Sequence, residues 1–293
     1  MSLEDLFDEL ERQSGSVSKD TIIKAPFAYP GSKSKSVEKI LPHLPYTNIY
    51  VEPFGGSASI LLARHKSKLE VFNDRYAGVT DFYKCLRDKD LTNQLIARLE
   101  LTVHSREEFV DCKWNWDKTD DIVERAASWY YMTRYSFASL GRNWGRALTT
   151  RAHLAGVIRK RLDLFPVIHE RFKEVQVENQ DWYDCIVDYD SPDTVFYLDP
   201  PYIDAYRGTY KHEMNEADHR RLIDTIFSTK GFVALSGFSN PVYEERNWDD
   251  RHEWEAFVSI KPRAYTESNY KKKVEGLDKR SFSTEVLWIK EAE

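Results

Sequence analysis

The most specific chemistry in the chain lies in YLDPPY, Tyr197 to Tyr202, at the end of an apolar run. Two consecutive prolines continue neither a helix nor a central strand. Pro200 and Pro201 therefore turn the chain out rigidly, with Asp199 just before them and Tyr202 just after. A carboxylate, a proline carbonyl with no ladder to join and an aromatic face are gathered in one small site, which suits a planar heterocycle bearing an amine. The plainer alternative is a rigid turn with a capping Asp. A second constellation is VEPFGGSAS, Val51 to Ser59, where a strand runs into Gly55 and Gly56. These glycines permit a tight turn and a close approach of backbone to ligand, and Ser57 is placed to cap a following helix. The segment is neither a full GxGxxG nor a GxxxxGK[ST], and a glycine turn alone is as readily structural. A third is Asp74, closing FND at Phe72 to Asp74. An acid at the end of the second strand grips a ribose diol in nucleotide folds; the same carboxylate is placed to cap a helix from Ala77, and the two roles are compatible. Together the second and third favour a cofactor that contains adenosine. A fourth is FAYPGSKSKSVEKIL, Phe27 to Leu41, in which Lys33 is either a carboxylate's partner or an ordinary surface lysine of a first helical turn.

These segments need strands and helices to position them. The residue pattern predicts strands at 48–54, 69–72, 194–199, 232–236, 254–260 and 285–290, and helices at 35–41, 58–64, 77–88, 216–227 and 241–246. Strands separated by helices indicate an α/β parallel sheet. The last two strands have only a polar loop between them, so a long hairpin should make that end of the sheet antiparallel. Residues 88–174 are helical in pattern, aromatic and basic, and read as an insertion. The expected organisation is an amphipathic helix and linker over 1–20, the first part of an α/β body over 21–87, the insertion over 88–174 and the second part of the body over 175–293.

The 293 residues are 41% hydrophobic and 31% charged, enough for a sizeable core. The start is acidic, which argues against a secretory signal, and no apolar run reaches bilayer length, so a cytoplasmic protein is expected. Cys85, Cys112 and Cys185 stand too far apart for a disulfide framework or a zinc cluster and read as neutral thiols. The net charge of −6 does not advertise nucleic acid, but sign is segregated. Between Arg134 and Lys173 nine basic residues face only Asp163 and Glu170. That is compatible with phosphate binding or, equally, with a solvated helix surface.

The order YPGSK, VEPFGGSAS, FND, a helical insertion and DPPY resembles the Dam-type DNA adenine methylases, phage members included, from about Lys24 to Lys290. The resemblance implies a Rossmann-like methyltransferase sheet with a helical target-recognition insertion. It implies S-adenosylmethionine held by Tyr29, Gly31, Lys33, Glu52, Phe54, Gly55, Gly56, Ser57, Asp74 and Asp199. It implies a target adenine held by Asp199, Pro200, Pro201 and Tyr202, and no metal. Double-stranded DNA is the implied partner, met by one copy or by a homodimer; by residue chemistry Arg134, Arg142, Asn143, Trp144 and Arg146 are the candidate contacts, Trp144 as a wedge into the gap left by a flipped base, each with a solvated surface as the alternative. The segment Thr266 to Arg280 is expected either as a further phosphate contact or as a solvated surface, and Tyr206 and Tyr210 either close the pocket or pack in the core. Ala28 stands where related enzymes carry a lysine. The implied reaction delivers a methyl group to the exocyclic amine of an adenine: Asp199 and the Pro200 carbonyl accept its two hydrogens and localise the lone pair. Methylation of RNA or of a protein glutamine, or an inactive DNA-binding regulator, are the rival readings; the leading Asp and the segment order favour adenine in DNA.

Overall fold

In the computed structural model of the chain, the described residues are 23–145, 156, 158–203, 210–257 and 282–293. The expected N-terminal helix, Arg146, Tyr206 and the segment 266–280 lie outside them. A short α1 (Val37–Ile40), flanked by two 3-10 turns, stands where one helix over 35–41 was expected; Pro42 opens the second turn. There follow β1 (Ile49–Glu52), β2 (Leu69–Asn73), α2 (Ala77–Arg87), α3 (Lys89–Glu100), α4 (Arg106–Asn115), α5 (Ile122–Tyr135), α6 (Arg159–Leu162) and α7 (Phe165–Phe172). The chain then returns to the sheet with β3 (Gln176–Glu178), α8 (Trp182–Tyr189), β4 (Thr194–Leu198), α9 (Glu216–Ile226), β5 (Phe232–Phe238), α10 (Pro241–Glu244), β6 (Asp250–Phe257) and β7 (Phe282–Lys290).

The seven strands lie in the order β3-β2-β1-β4-β5-β7-β6. All neighbours are parallel up to β5, and β7 runs antiparallel between β5 and β6. This is the α/β sheet that the sequence pattern implies, antiparallel end included, and the Rossmann-like arrangement that the resemblance implies. Strand order reverses between β1 and β4, and in open α/β sheets ligands bind at the carboxyl ends beside such a reversal. Glu52, Asn73 and Leu198 end the three strands flanking that point, and Asp74 and Asp199 follow directly.

Each face of the sheet has its own core, because successive side chains alternate. Val51, Val71, Phe196 and Leu198 pack against α8 and α9. Tyr50, Phe72, Val195 and Tyr197 pack against α2, α3, α5 and α7. The helices of residues 88–174 therefore extend a core of the sheet. Gly78 of α2 lets Trp129 of α5 approach so closely that an added Cβ would lie 2.1 Å from the indole. All three cysteines are free and buried.

Two expectations fail for local reasons. Residues 58–64 form turns and no helix, because Gly56 (φ 51°) and Ala58 (φ 54°) are both left-handed and the chain cannot enter a right-handed helix from there. Ser57 accordingly caps nothing; its hydroxyl bonds those of Ser32 (2.9 Å) and Ser59 (2.9 Å). The basic stretch is also not one surface. Arg171 is 6% exposed and binds buried Glu70 through both terminal nitrogens and the Leu61 carbonyl at 2.7 Å.

Candidate active site

One cavity of about 390 Å³ joins the Gly55–Gly56 turn to the Asp199–Pro201 corner. The ten residues expected to hold a cofactor, Tyr29 and Gly31 among them, all line it. Of the expected target-base residues, Asp199 and Pro201 line it, whereas Pro200 and Tyr202 are buried behind it.

At the glycine end, Asp74 receives the Gly56 amide at 2.9 Å through one oxygen and the Tyr76 amide at 2.8 Å through the other. It thus clamps the turn to the end of β2. It does not cap α2: the N-cap position is held by Tyr76, whose side chain makes no capping bond. Burial pushes the Asp74 carboxyl up to about 6, against the pull of these two amides. Gly55 backs onto Phe72, where an added Cβ would lie 2.1 Å from the ring. Asn73 donates to the Pro53 carbonyl (2.9 Å) and to the Gln180 carbonyl (3.2 Å), so one buried amide ties the ends of β1 and β3 together.

The β3 end supplies two wall residues that the sequence reading missed, Asp181 and Trp182. Asp181 caps α8 through the Tyr183 amide and pairs with Arg75 at 2.7 Å; Trp182 lies near-parallel to Phe54, ring centres 6.2 Å apart. The signal was present: QDW, like FND, puts an acid at a strand's carboxyl end, but a three-residue strand with two polar residues shows no apolar run.

At the proline corner, Lys33 is 4% exposed, so it is a carboxylate partner and no surface lysine. Its Nζ meets Asp199 Oδ1 at 2.5 Å, Glu285 Oε1 at 3.3 Å and the Gly31 carbonyl at 2.9 Å. Burial alone would lower the Lys33 pKa, but the two carboxylates outweigh it and hold it above the ordinary value. Burial raises the Asp199 pKa, against the pull of Lys33 and of the Ser236 hydroxyl, which donates to Oδ1 at 3.0 Å. Among the described residues Oδ2 takes no bond. Tyr202 donates to Glu285 at 2.7 Å, meets Phe238 edge-on and lies 4.9 Å from Lys33 Nζ, so both its hydroxyl and its ring are engaged. Tyr210 lines the cavity, together with Tyr29, Tyr76 and Tyr197. Glu285 and Ser236 were not singled out from sequence; a lone Glu heading the apolar run EVLWIK was the available sign.

Glu52, 2% exposed, accepts from the Tyr50 hydroxyl at 2.8 Å. Burial pushes it up to about 8. A carboxyl raised from 4.5 to about 8 on folding keeps a proton that the unfolded chain has lost, so it costs stability above pH 8, and the cost disappears as pH falls toward 4.5. The ligand-free protein is therefore expected to become more stable from pH 9 to pH 6, Glu52 contributing at most about 1.4 kcal/mol per pH unit. Glu52→Gln should flatten that slope, gaining about twice as much over wild type at pH 9 as at pH 6. Urea unfolding across this range checks it; parallel curves would refute it.

Of the expected DNA contacts, Arg134 is half-buried, with its pKa lowered by burial and its Nε without a partner among the described residues. Residues 135–145 form a stapled hairpin: Gly145 N–H donates to Tyr135 (2.7 Å), Phe137 N–H to Asn143 (2.7 Å) and Gly141 N–H to the Ser136 hydroxyl (2.8 Å). Arg142 and Asn143 are exposed on it. Trp144 instead stacks on His104, centres 4.4 Å apart, and meets Phe109 edge-on. The exposed ring is Phe137, at 71%, which the sequence reading passed over.

No curated protein matches the chain. Among solved structures, a Streptococcus mutans protein described as a methyltransferase candidate, in complex with SAH, shares 8% identity over 88% of this chain and 96% of its own, at a TM-score of 0.32. That likeness is too loose to bear on the site. The family model for the D12 class N6 adenine-specific DNA methyltransferases, by contrast, matches residues 29–274, from the first cavity residue to beyond the last parallel strand, and the chain belongs to that family.

Proposed function

We propose that this adenine-specific DNA methyltransferase acts on an adenine rotated out of duplex DNA, with S-adenosylmethionine as donor in the Gly55–Asp199 cavity. The observation that carries the reading is the continuity of that cavity: the glycine turn and Asp199, whose Oδ2 takes no bond among the described residues, line the same space. The lining fits the donor. Its volume lies in the range of small-ligand sites, Asp74 and Asp181 offer acceptors for ribose hydroxyls, Phe54 and Trp182 offer faces for a purine, and several carboxylates suit a cation. When bound, S-adenosylmethionine supplies a methyl group on a positively charged sulfur.

The chain's own residues do the rest. Asp199 Oδ2 accepts one hydrogen of the adenine amine, which draws its lone pair out of the ring and stabilises the charge that develops on nitrogen; Pro200, buried behind the wall, holds the rigid turn that presents Asp199. Lys33 and Ser236 occupy Oδ1 and fix the carboxylate's orientation. A base inside a duplex cannot reach a cavity of this kind, so it must leave the stack. Tyr210, one of the aromatic residues that line the cavity, is the ring we assign to meet it.

Phe137 takes the role first assigned to Trp144, because it is the exposed ring on a hairpin held rigid by its own bonds, with Arg142 and Asn143 beside it for base edges. Phe137→Ala should raise KM for DNA by roughly ten- to a hundredfold, on the scale of one base–aromatic contact. It should reduce the fluorescence gain of 2-aminopurine at the target position and leave the melting temperature unchanged. Equal KM and equal fluorescence would remove the wedge.

Transfer of labelled methyl from S-adenosylmethionine to duplex DNA, single-stranded DNA, RNA and protein, followed by nucleoside analysis, tests the whole reading. N6-methyladenine from the duplex is expected. Label on RNA or protein alone, or no transfer despite donor binding, would overturn it.

A further inference from the structure

The cavity holds a carboxyl group that neither the clamp on the glycine turn nor the grip on the amine uses. Glu52 ends β1 at the sheet's reversal point. The β1–β4 register pairs Val51 with Phe196, so Glu52 falls beside Tyr197, and Asp199 follows two residues on along the same face. Glu52 therefore stands between the glycine turn that leaves β1 and the carboxylate that follows β4. It lines the cavity, yet it is buried like a core residue.

Its surroundings hold it in an unbalanced state. From β1, the Tyr50 hydroxyl donates to Oε1 at 2.8 Å. From the turn, the Leu61 amide donates to it, and Arg64 lies 3.8 Å over the Tyr50 ring, but that guanidinium is also committed to buried Glu70. From β4, Tyr197 is at hand and the charge of Asp199 opposes its own; from α2, Tyr83 faces it. Lys33, the cation at the cavity's far end, is taken up by Asp199 and Glu285. Among the described residues, nothing forms an ion pair with Glu52, and burial keeps its proton on at neutral pH. A donor whose methyl faces Asp199 and whose remainder reaches the glycine turn passes Glu52 and brings a positive charge to a carboxyl that has no ion-pair partner among the described residues; of the lining cations, Lys33 and Arg75 are paired with Asp199 and Asp181.

We infer that Glu52 is the group by which this site tells the charged methyl donor from its neutral spent form: it gives up a proton to solvent when the sulfonium is bound and keeps that proton when the thioether is bound. The inference rests on the reading of the cavity as the S-adenosylmethionine site. It gives the enzyme an electrostatic preference for the donor over a product of nearly the same shape, since loss of the methyl group removes the charge that Glu52 answers.

Titration calorimetry in buffers of different ionisation enthalpy counts the proton. At pH 7, S-adenosylmethionine should release about 0.8–0.9 proton more than S-adenosylhomocysteine, and the difference should vanish above about pH 9.5. Comparing the two ligands cancels every group they share, the amino acid moiety and Asp74 included. Glu52→Gln should abolish the difference and reduce the donor-to-product affinity ratio by at least tenfold. Equal proton counts for the two ligands in the wild-type protein, or a difference that persists in the Gln variant, would overturn the role of Glu52 while leaving the cofactor site intact. No binding of S-adenosylmethionine at all would overturn the cofactor reading itself.

Discussion

Replacing Asp199 by alanine is expected to lower kcat for N6 methylation by about a thousandfold or more, some 4 kcal/mol of transition-state stabilisation, while the Kd for S-adenosylmethionine changes by only a few-fold. The split follows from what surrounds the carboxylate. Oδ1 is occupied by Lys33 and Ser236, and Oδ2 is the oxygen left to receive an amine hydrogen. The alanine variant should also fold. Lys33 keeps Glu285 at 3.3 Å and the Gly31 carbonyl at 2.9 Å, so the buried ammonium retains one carboxylate and is not left unbalanced. Asp199→Asn keeps one acceptor oxygen and should lose less, about a hundredfold. Single-turnover kinetics with labelled donor, beside calorimetric Kd values, decide the matter. A folded alanine variant within tenfold of wild type would remove Asp199 from the chemistry. A variant that loses donor binding together with turnover would make it a cofactor ligand first.

Much of the site was legible because a parallel sheet concentrates chemistry at strand ends. Glu52, Gly55, Gly56, Asp74 and Asp199 are polar or glycine residues directly at or after apolar runs, a pattern that sequence shows without any knowledge of packing. What was not legible depends on partners distant in the chain. Glu285 matters because β7 inserts beside β5 and brings it within reach of Tyr202 and Lys33, a pairing no local pattern encodes. Asp181 and Trp182 were hidden behind a strand of three residues. The helix expected at 58–64 has helical spacing in its apolar residues, but the left-handed backbone at Gly56 and Ala58 overrides it. Tyr202 was read as a free stacking face because a motif names a residue, while only packing shows that Glu285, Phe238 and Lys33 engage it. Trp144 and Phe137 were exchanged for the same reason: composition marks both as large aromatic rings, and only the hairpin shows which one faces outward.

The same limit applies to the basic stretch, and there it carries the second large effect. Arg171 and Arg142 look alike in sequence, yet one is locked inside the protein and the other stands on the hairpin. Removing one partner of a buried, hydrogen-bonded ion pair costs up to about 3–5 kcal/mol, and here the cost comes from trading two close guanidinium bonds for one longer ion pair and from an orphaned carbonyl. Arg171→Ala would leave Glu70 with Arg64, at 3.3 Å, as its one remaining arginine, and would strip the Leu61 carbonyl of its 2.7 Å donor. The expected result is a loss of that size in urea unfolding, with the salt dependence of DNA binding unchanged in whatever fraction stays folded. Arg142→Ala should do the opposite: stability within about 0.5 kcal/mol of wild type, and a salt slope smaller by about one if it meets a phosphate, or relaxed discrimination at one base pair if it meets a guanine. Arg171→Ala with full stability and a reduced salt slope would show that the stretch is one DNA-binding surface after all. The predicted separation of the two arginines would show that its charge is divided between holding the sheet to its helices and meeting DNA.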